Sequence, residues 1–501
     1  MFKTRSSGVL LHPTSLPGKY GIGDFGNEAY SFVDQLKKTG VKLWQTLPLG
    51  PTGYGNSPYA SRSSFAGNEL LISIDSLLEE GYLSEDDLLD MPIFSDAKVE
   101  YYKVELWKKP LLLKAAKNFM KTNKEAKLFN KFKEENKSWL EDYCLYISIY
   151  EEYNDSRWYG VWDEKLKDRD EKALDEKRKS NKQKIDCYRV LQYIFFKQWH
   201  SLKKYTNDNG IMIVGDIPIF ASGDSVDIWC NTDLVKTDAD GNFKSVSGCP
   251  PDGFTPLGQL WGNPVYDWKK NEETGFEWWI ERIRHQLTLC DVLRIDHFRG
   301  FESNWEIEYG APDASKGVWT KGPGLKLFSA VKEKLGDVPL IAEDLGYMTD
   351  EVVKLRKTLG YPGMKIGVFG FEVQENGILN KDNMDFPANY DKNCFAYPGT
   401  HDNTPVQHWF SLLTTSQKNT VCDCLATNHN NVHWAMIRDI YYSKANYAVV
   451  QIQDILGLSF EGRMNTPSTC NDTNWAWRIN CSLDEALERL SRLIKYSKRD
   501  N

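Results

Sequence analysis

The chain has 501 residues, 41% of them hydrophobic and 26% charged, with 36 Gly and 20 Pro, a composition that excludes disordered, collagen-like and low-complexity classes. Its net charge of −8 argues against nucleic acid and membrane surfaces as partners, because both call for a basic excess. The N-terminus lacks an apolar leader core and no apolar run is long enough to span a bilayer, so a cytoplasmic location is expected.

Eight short β-rich apolar runs punctuate the chain, each ending in polar, Gly or Pro residues. They are GVLL (8–11), VKLWQTL (41–47), IMIVGDIPI (211–219), VLRIDHF (292–298), LIAEDL (340–345), MKIGVFGF (364–371), CFAYPG (394–399) and AVVQIQDI (448–455). Helical stripes lie between several of them. After the first run, Ala29, Phe32, Val33 and Leu36 fall at i, i+3, i+4 and i+7, with Gly40 as a stop. Leu191, Phe195, Trp199 and Leu202 repeat the stripe before the third run, and Ser482 with Glu485 forms a capping-box pattern ahead of Leu483, Leu487, Leu490 and Ile494. Strand and helix alternating about eight times predict parallel βαβ units, most economically closed as a (β/α)8 barrel of the α/β class.

Two stretches, about 60–187 and 221–272, break the rhythm and are read as insertions over the C-terminal face of a single domain spanning 1–501. Within 163–184, nine basic and seven acidic residues sum to only +2, which predicts a solvated helix rather than a binding arm. The ten cysteines show neither zinc-ribbon nor CxxC spacing, so reduced thiols are expected. Seventeen Trp, 25 Tyr and 23 Phe fill a large core and also suit a cleft that stacks flat, CH-rich ligand faces.

Barrel chemistry sits at the C-terminal ends of strands, and here those ends carry carboxylates. Asp216 closes the third run, Arg294 and Asp296 the fourth, Glu343 and Asp344 the fifth, and Asp402 follows the seventh. Any one acid after a strand is commonly a helix cap; four strands ending this way predict a site. Carboxylates crowded into one cleft repel one another and lose hydration, which lets one stay protonated while another is ionised, the division that glycosidic bond chemistry needs. Gly21 to Gly26 matches G-x-G-x-x-G, but the turn-like HPTSLPGKY precedes it instead of a strand, so a sharp loop is expected. There is no P-loop, no HExxH and no paired CxxC. His401 beside Asp402 is the best placed histidine for bonding a hydroxyl, whereas His12, His200 and His408 read equally well as structural. The loop 50–68 brings Tyr54, Ser57 and Tyr59 to the top of the second strand, and 247–268 brings Phe254 and Trp261 to the mouth as a stacking loop or a packed hairpin lid.

At these residues the sequence resembles the amylomaltase, or 4-α-glucanotransferase, family of disproportionating enzymes, related to the α-amylase clan. The segments RSSGVLLHPTSLPGKYGIGDFG, LPLGPTGYGNSPYASRSSFAGN, GDIPIFASGDSVDIW, PPDGFTPLGQLWGNPVYDW, VLRIDHFRGF, LIAEDLG, PGTHDNTP and QDILGLSFEGRMNTP carry the resemblance in order from end to end. It implies a (β/α)8 TIM barrel whose insertions form the glucan cleft, with no cofactor and no metal. It also implies malto-oligosaccharides and α-1,4-glucans as donor and acceptor. By the same resemblance Asp296 is the nucleophile, Glu343 the general acid/base, and Asp402 the carboxylate that holds sugar hydroxyls. Arg294, Asp216 and His401 surround the reacting glucose, Ser57 and Tyr59 belong to its binding loop, and Trp261, Asn263 and Asn465 complete the set. The implied reaction passes a glucan segment to the 4-hydroxyl of another glucan or glucose by retaining double displacement through a glucosyl-Asp296 intermediate. An α-amylase-like hydrolase would share the three acids, and an inert glucan-binding protein would be expected to have lost one. Two positions depart from the family pattern: Gly253, where a larger residue such as tyrosine is common, and Ser468, where glycine is common.

Overall fold

The computed structural model describes residues 4–122, 124–251, 255–374 and 377–500. Among them are twelve strands: β1 (Ser6–Leu10), β2 (Leu43–Gln45), β3 (Met212–Pro218), β4 (Ser245–Cys249), β5 (Gln259–Pro264), β6 (Val292–Asp296), β7 (Ser303–Glu308), β8 (Val318–Lys321), β9 (Leu340–Ala342), β10 (Gly363–Ile366), β11 (Cys394–Tyr397) and β12 (Tyr447–Gln451). Eight of these, one in each predicted run, form a parallel sheet in the order β10-β11-β12-β1-β2-β3-β6-β9. The Ala342 N–H donates to the Pro362 carbonyl at 3.0 Å, bringing the two edge strands together, so the chain is the (β/α)8 barrel expected. β1, β11 and β12 are buried at every position, as parallel strands sheathed by helices must be.

The seam between β9 and β10 is also held by a side chain. Asp344 accepts from the Met364 N–H at 2.7 Å and pairs with the Arg356 guanidinium at 2.8 Å. Asp344 therefore belongs to the barrel closure, although it stands next to Glu343 in the sequence.

The helix Asn27–Thr39 buries Ala29, Phe32, Val33 and Leu36 and ends on Gly40 at φ 90°, and the helix Lys182–Asp208 buries Leu191, Phe195, Trp199 and Leu202. The last helix, Asp484–Tyr496, departs from the expected cap: Leu483 is its cap residue and the Ser482 hydroxyl accepts from the Asp484 N–H at 3.2 Å. The glycine-rich loop before Asn27 is tight, since a Cβ on Gly23 would lie 2.0 Å from the Pro13 carbonyl oxygen. The stretch 60–187 is largely helical, including Tyr101–Thr122 and Lys137–Tyr153. The charge-dense part contains the helix Glu171–Ser180, which buries only Leu174. A second, antiparallel sheet has the order β5-β4-β7-β8. Its β4 and β5 pair antiparallel, the hairpin alternative of the two readings of 247–268, but β7 and β8 follow β6, where the sequence pattern marked no element.

Candidate active site

Period two along β6 places Arg294 and Asp296 on one face, and the parallel register sets Arg294 beside Asp216 on β3. The consequence is one cation shared by two carboxylates. Arg294 Nη1 donates to both Asp216 oxygens at 2.8 and 2.6 Å, and Nη2 donates to Asp296 Oδ1 at 2.8 Å. Burial would weaken so enclosed a guanidinium, but the two carboxylates hold its pKa well above the ordinary value. Burial pushes Asp216 up to about 6 against the pull of Arg294. It pushes Asp296 up as well, with Arg294 opposing and the Asp402 charge adding to the rise.

Glu343 follows β9 directly. Register pairs Ile295 with Ala342, so Asp296 and Glu343 are the next neighbours, leaving their strands about one inter-strand spacing apart, ~4.8 Å. Glu343 is 8% exposed. It accepts from the His297 N–H at 2.7 Å and the Leu345 N–H at 2.8 Å. Burial, followed by the Asp296 charge, pushes it up to about 8 despite Arg294 and those two N–H groups. His297 adopts a left-handed backbone, φ 51° and ψ 47°, a conformation costly for a residue with a Cβ, and that turn aims its N–H at Glu343.

Asp402, on the turn after β11, completes the ring. Burial would raise it, but the His401 ring at 3.3 Å and the Asn465 amide, which donates to Oδ1 at 2.6 Å, hold it well below the carboxylate range. Its side chain is 41% exposed, against 29% for Asp296, so both acids face open cleft. Tyr59 ties the two halves together: its hydroxyl donates to Asp216 Oδ2 at 2.8 Å and lies 2.8 Å from His401 Nε2, and its ring stacks on His401 at 5.3 Å and 13°. Burial, then Asp216, raises this phenol well above its ordinary pKa. Ser57 acts on Tyr59 through the backbone, its hydroxyl accepting the Tyr59 N–H at 3.2 Å.

Trp261 and Asn263 share one face of β5, both half-buried. The Trp261 ring meets the His297 ring edge-on at 4.6 Å and 82°, which sets the hairpin against the residue following Asp296. Tyr54 does not join the cluster; it is 76% exposed on the rim. Phe254 and Gly253 lie outside the described residues. Ser468 has φ 63°, in the left-handed region that favours glycine.

Two further side chains join the cluster, Trp475, which the sequence did not mark, and His12, which reads equally well as structural there. Trp475, at φ 62°, packs on Tyr59 at 5.7 Å and on His401 at 6.0 Å, and it carried no motif of its own. His12 lies at the end of β1 beside His401, and burial, with His401 nearby, lowers it to about 3. Its place directly after the first strand was the available signal. Among the described residues no group of three His, Cys, Asp or Glu side chains could hold a metal ion, and no helix is long and apolar enough to cross a membrane.

A sequence profile described as 4-alpha-glucanotransferase matches residues 11–484. The 4-alpha-glucanotransferase of Streptococcus pneumoniae serotype 4 is 46% identical over 480 residues, covering 95% of this chain and 94% of that one. That of Clostridium butyricum is 43% identical over 492 residues, covering 97% and 99%. The solved amylomaltase of Streptococcus agalactiae in complex with acarbose superposes with a TM-score of 0.95 at 40% identity, covering 99% of this chain and 100% of that one.

Proposed function

Because the chain belongs to the 4-alpha-glucanotransferase family and is a 4-alpha-glucanotransferase, we propose that it works by retaining double displacement on malto-oligosaccharides, with a covalent glucosyl-Asp296 intermediate. The observation that carries this reading is the unequal treatment of two neighbouring acids. Burial raises both, but Arg294 donates to Asp296 at 2.8 Å and opposes its rise, while Glu343 meets only backbone N–H donors and is pushed up to about 8. The pair is thus divided between an acid that attacks and one that donates.

In the first step an Asp296 carboxylate oxygen bonds to C1 of the donor glucose as the glycosidic bond breaks, and the Glu343 proton passes to the departing 4-oxygen. In the second, Glu343, now a carboxylate, takes the proton of an acceptor 4-hydroxyl as that oxygen bonds to C1 and Asp296 leaves. Two inversions give retention. Asp402, kept ionised and fixed by Asn465, accepts hydroxyls of the distorted ring. Arg294, Asp216, His401 and Tyr59, carried by the loop of Ser57, form the network around that glucose.

Transfer demands selection against water. Water at ~55 M competes with a millimolar acceptor, so the sugar must be favoured about 10⁵-fold, roughly 6 to 7 kcal/mol in the transition state. The hairpin face of Trp261 and Asn263 lies against His297 and supplies such an acceptor platform; Phe254 belongs to the same loop, and Tyr54 stands farther out on the rim. The ten cysteines, all free, fit a reducing compartment and support a cytoplasmic enzyme.

The test is incubation with maltotriose alone. Disproportionation yields glucose and a ladder of longer maltodextrins with no net gain of reducing ends, whereas rising reducing ends would mean hydrolysis. Asp296→Asn should abolish the ladder, and a ladder that persists would remove Asp296 as nucleophile.

A further inference from the structure

Behind the loop that carries Tyr59 lies a cavity of about 720 Å³ with none of the three catalytic carboxylates in its walls. Small-molecule sites have this size. It opens between the helices Ala126–Glu135, Lys137–Tyr153, Lys182–Asp208 and Glu277–Leu289. Phe65, Phe132, Trp139, Phe196 and Trp278 give it an aromatic lining. The rings brace one another: Trp139 lies 5.7 Å from Phe196, and Phe65 meets Trp278 edge-on at 6.4 Å and 80°.

The charges in the wall decide what can enter. Both cations are already engaged, Lys197 by Glu80 at 2.9 Å and Glu125 at 2.6 Å, and Arg284 by Glu281. Asp142 is paired with Arg169 at 2.7 Å, Asp227 accepts the Ser64 N–H at 2.7 Å, and Glu277 makes no ion pair among the described residues. A wall with its cations neutralised and carboxylates to spare rejects phosphates, nucleotides and acids.

The polar edges of the lining rings differ in reach. The Trp278 Nε1–H is shut off from the cavity and has no acceptor among the described residues. His285 Nε2 lies 2.7 Å from the Phe65 carbonyl oxygen. Burial lowers the His285 pKa to about 4, so this neutral ring donates through Nε2 and keeps a lone pair on Nδ1. Ring faces for C–H stacking, a ring acceptor and no free cation suit a neutral polyhydroxylated ligand.

We propose that this cavity is a second sugar site, separate from the transfer cleft, that takes a short α-glucan such as maltose; the choice of sugar rests on the reading given under Proposed function. It also touches that cleft mechanically. Ser64 and Phe65 follow Tyr59 by only a few residues, and they are held by Asp227, His285 and Gln286, whose Nε2 donates to the Ser64 carbonyl at 2.8 Å. A ligand that shifts Trp278 or His285 pulls on the segment that sets Tyr59 against Asp216 and His401.

Calorimetric titration of maltose into the Asp296→Asn chain, which should leave the sugar unconsumed, is expected to show two classes of site. Ser138→Trp, at an exposed lining position, should remove one class and spare the other. A single class in the parent, or two classes surviving Ser138→Trp, would overturn the proposal. So would heat from benzyltrimethylammonium that Ser138→Trp abolishes while maltose fills only the cleft, since the site would then be selecting organic cations. Glucose has no glycosidic bond to break, so titrating it into the unaltered chain repeats the test even if the covalent reading fails.

Discussion

Glu343 illustrates how a single side chain acquires its chemistry from what surrounds it. Buried beside the Asp296 charge, it keeps its proton up to about 8 in the folded chain, against an ordinary value of 4.5. Activity that needs this proton should fall as pH rises through about 8, the alkaline limb of kcat/KM. Glu343→Gln should cut transfer by ~10² to 10⁴-fold. The same group ties stability to pH. Between 4.5 and 8 the native state binds a proton that the unfolded state has released, so the contribution is fully present below 4.5 and is lost as pH climbs through 8. Thermal unfolding of Glu343→Gln should therefore show an advantage over the parent that grows from pH 4.5 to 8; an advantage independent of pH would contradict the shift. Asp402 has the opposite sign, a lowered pKa, so its contribution is present at neutral pH and fades only as strong acid protonates it.

Among the elements, the seam between β9 and β10 and the β4–β5 hairpin do different work. Asp344 is 7% exposed and joins the seam to Arg356 at 2.8 Å, so Asp344→Ala leaves an unpaired buried guanidinium. A loss of about 3–5 kcal/mol is expected, read as a lower urea midpoint, with the folded fraction still transferring glucan. Its chain neighbour Glu343 should show the reverse, activity lost and fold kept. In the hairpin, Trp261→Ala removes the ring that abuts His297. The ratio of transfer to hydrolysis should drop toward hydrolysis while total bond cleavage persists. An unchanged ratio would assign acceptor selection to another part of the mouth.

At the scale of the whole molecule, the barrel gathers acids from β3, β6, β9 and the turn after β11 onto one face. Parallel strands in register can only present their C-terminal ends together. The second sheet then fits over part of this mouth through β5, while the helices between β2 and β3 buttress the loop of Tyr59 from behind. A rigid ring of carboxylates thus sits between a stacking hairpin and a loop whose far side borders a separate cavity.

All eight barrel strands and the stripes of the helices Asn27–Thr39 and Lys182–Asp208 were legible in the sequence, because apolar periodicity is written between near neighbours in the chain. The acids at the strand ends were legible for the same reason, since period two decides that Arg294 and Asp296 share a face. Tertiary structure alone decided the division of labour between Glu343 and Asp344, adjacent residues whose partners are a backbone turn in one case and Arg356 in the other. It also decided that β7 and β8 complete the second sheet, that Tyr54 stands exposed, and that Trp475 and His12 close the wall around His401. Each of these depends on contacts between distant segments, and protonation depends on how much water those contacts remove. Neither quantity is carried by local spacing, so both emerge only when the chain has closed on itself.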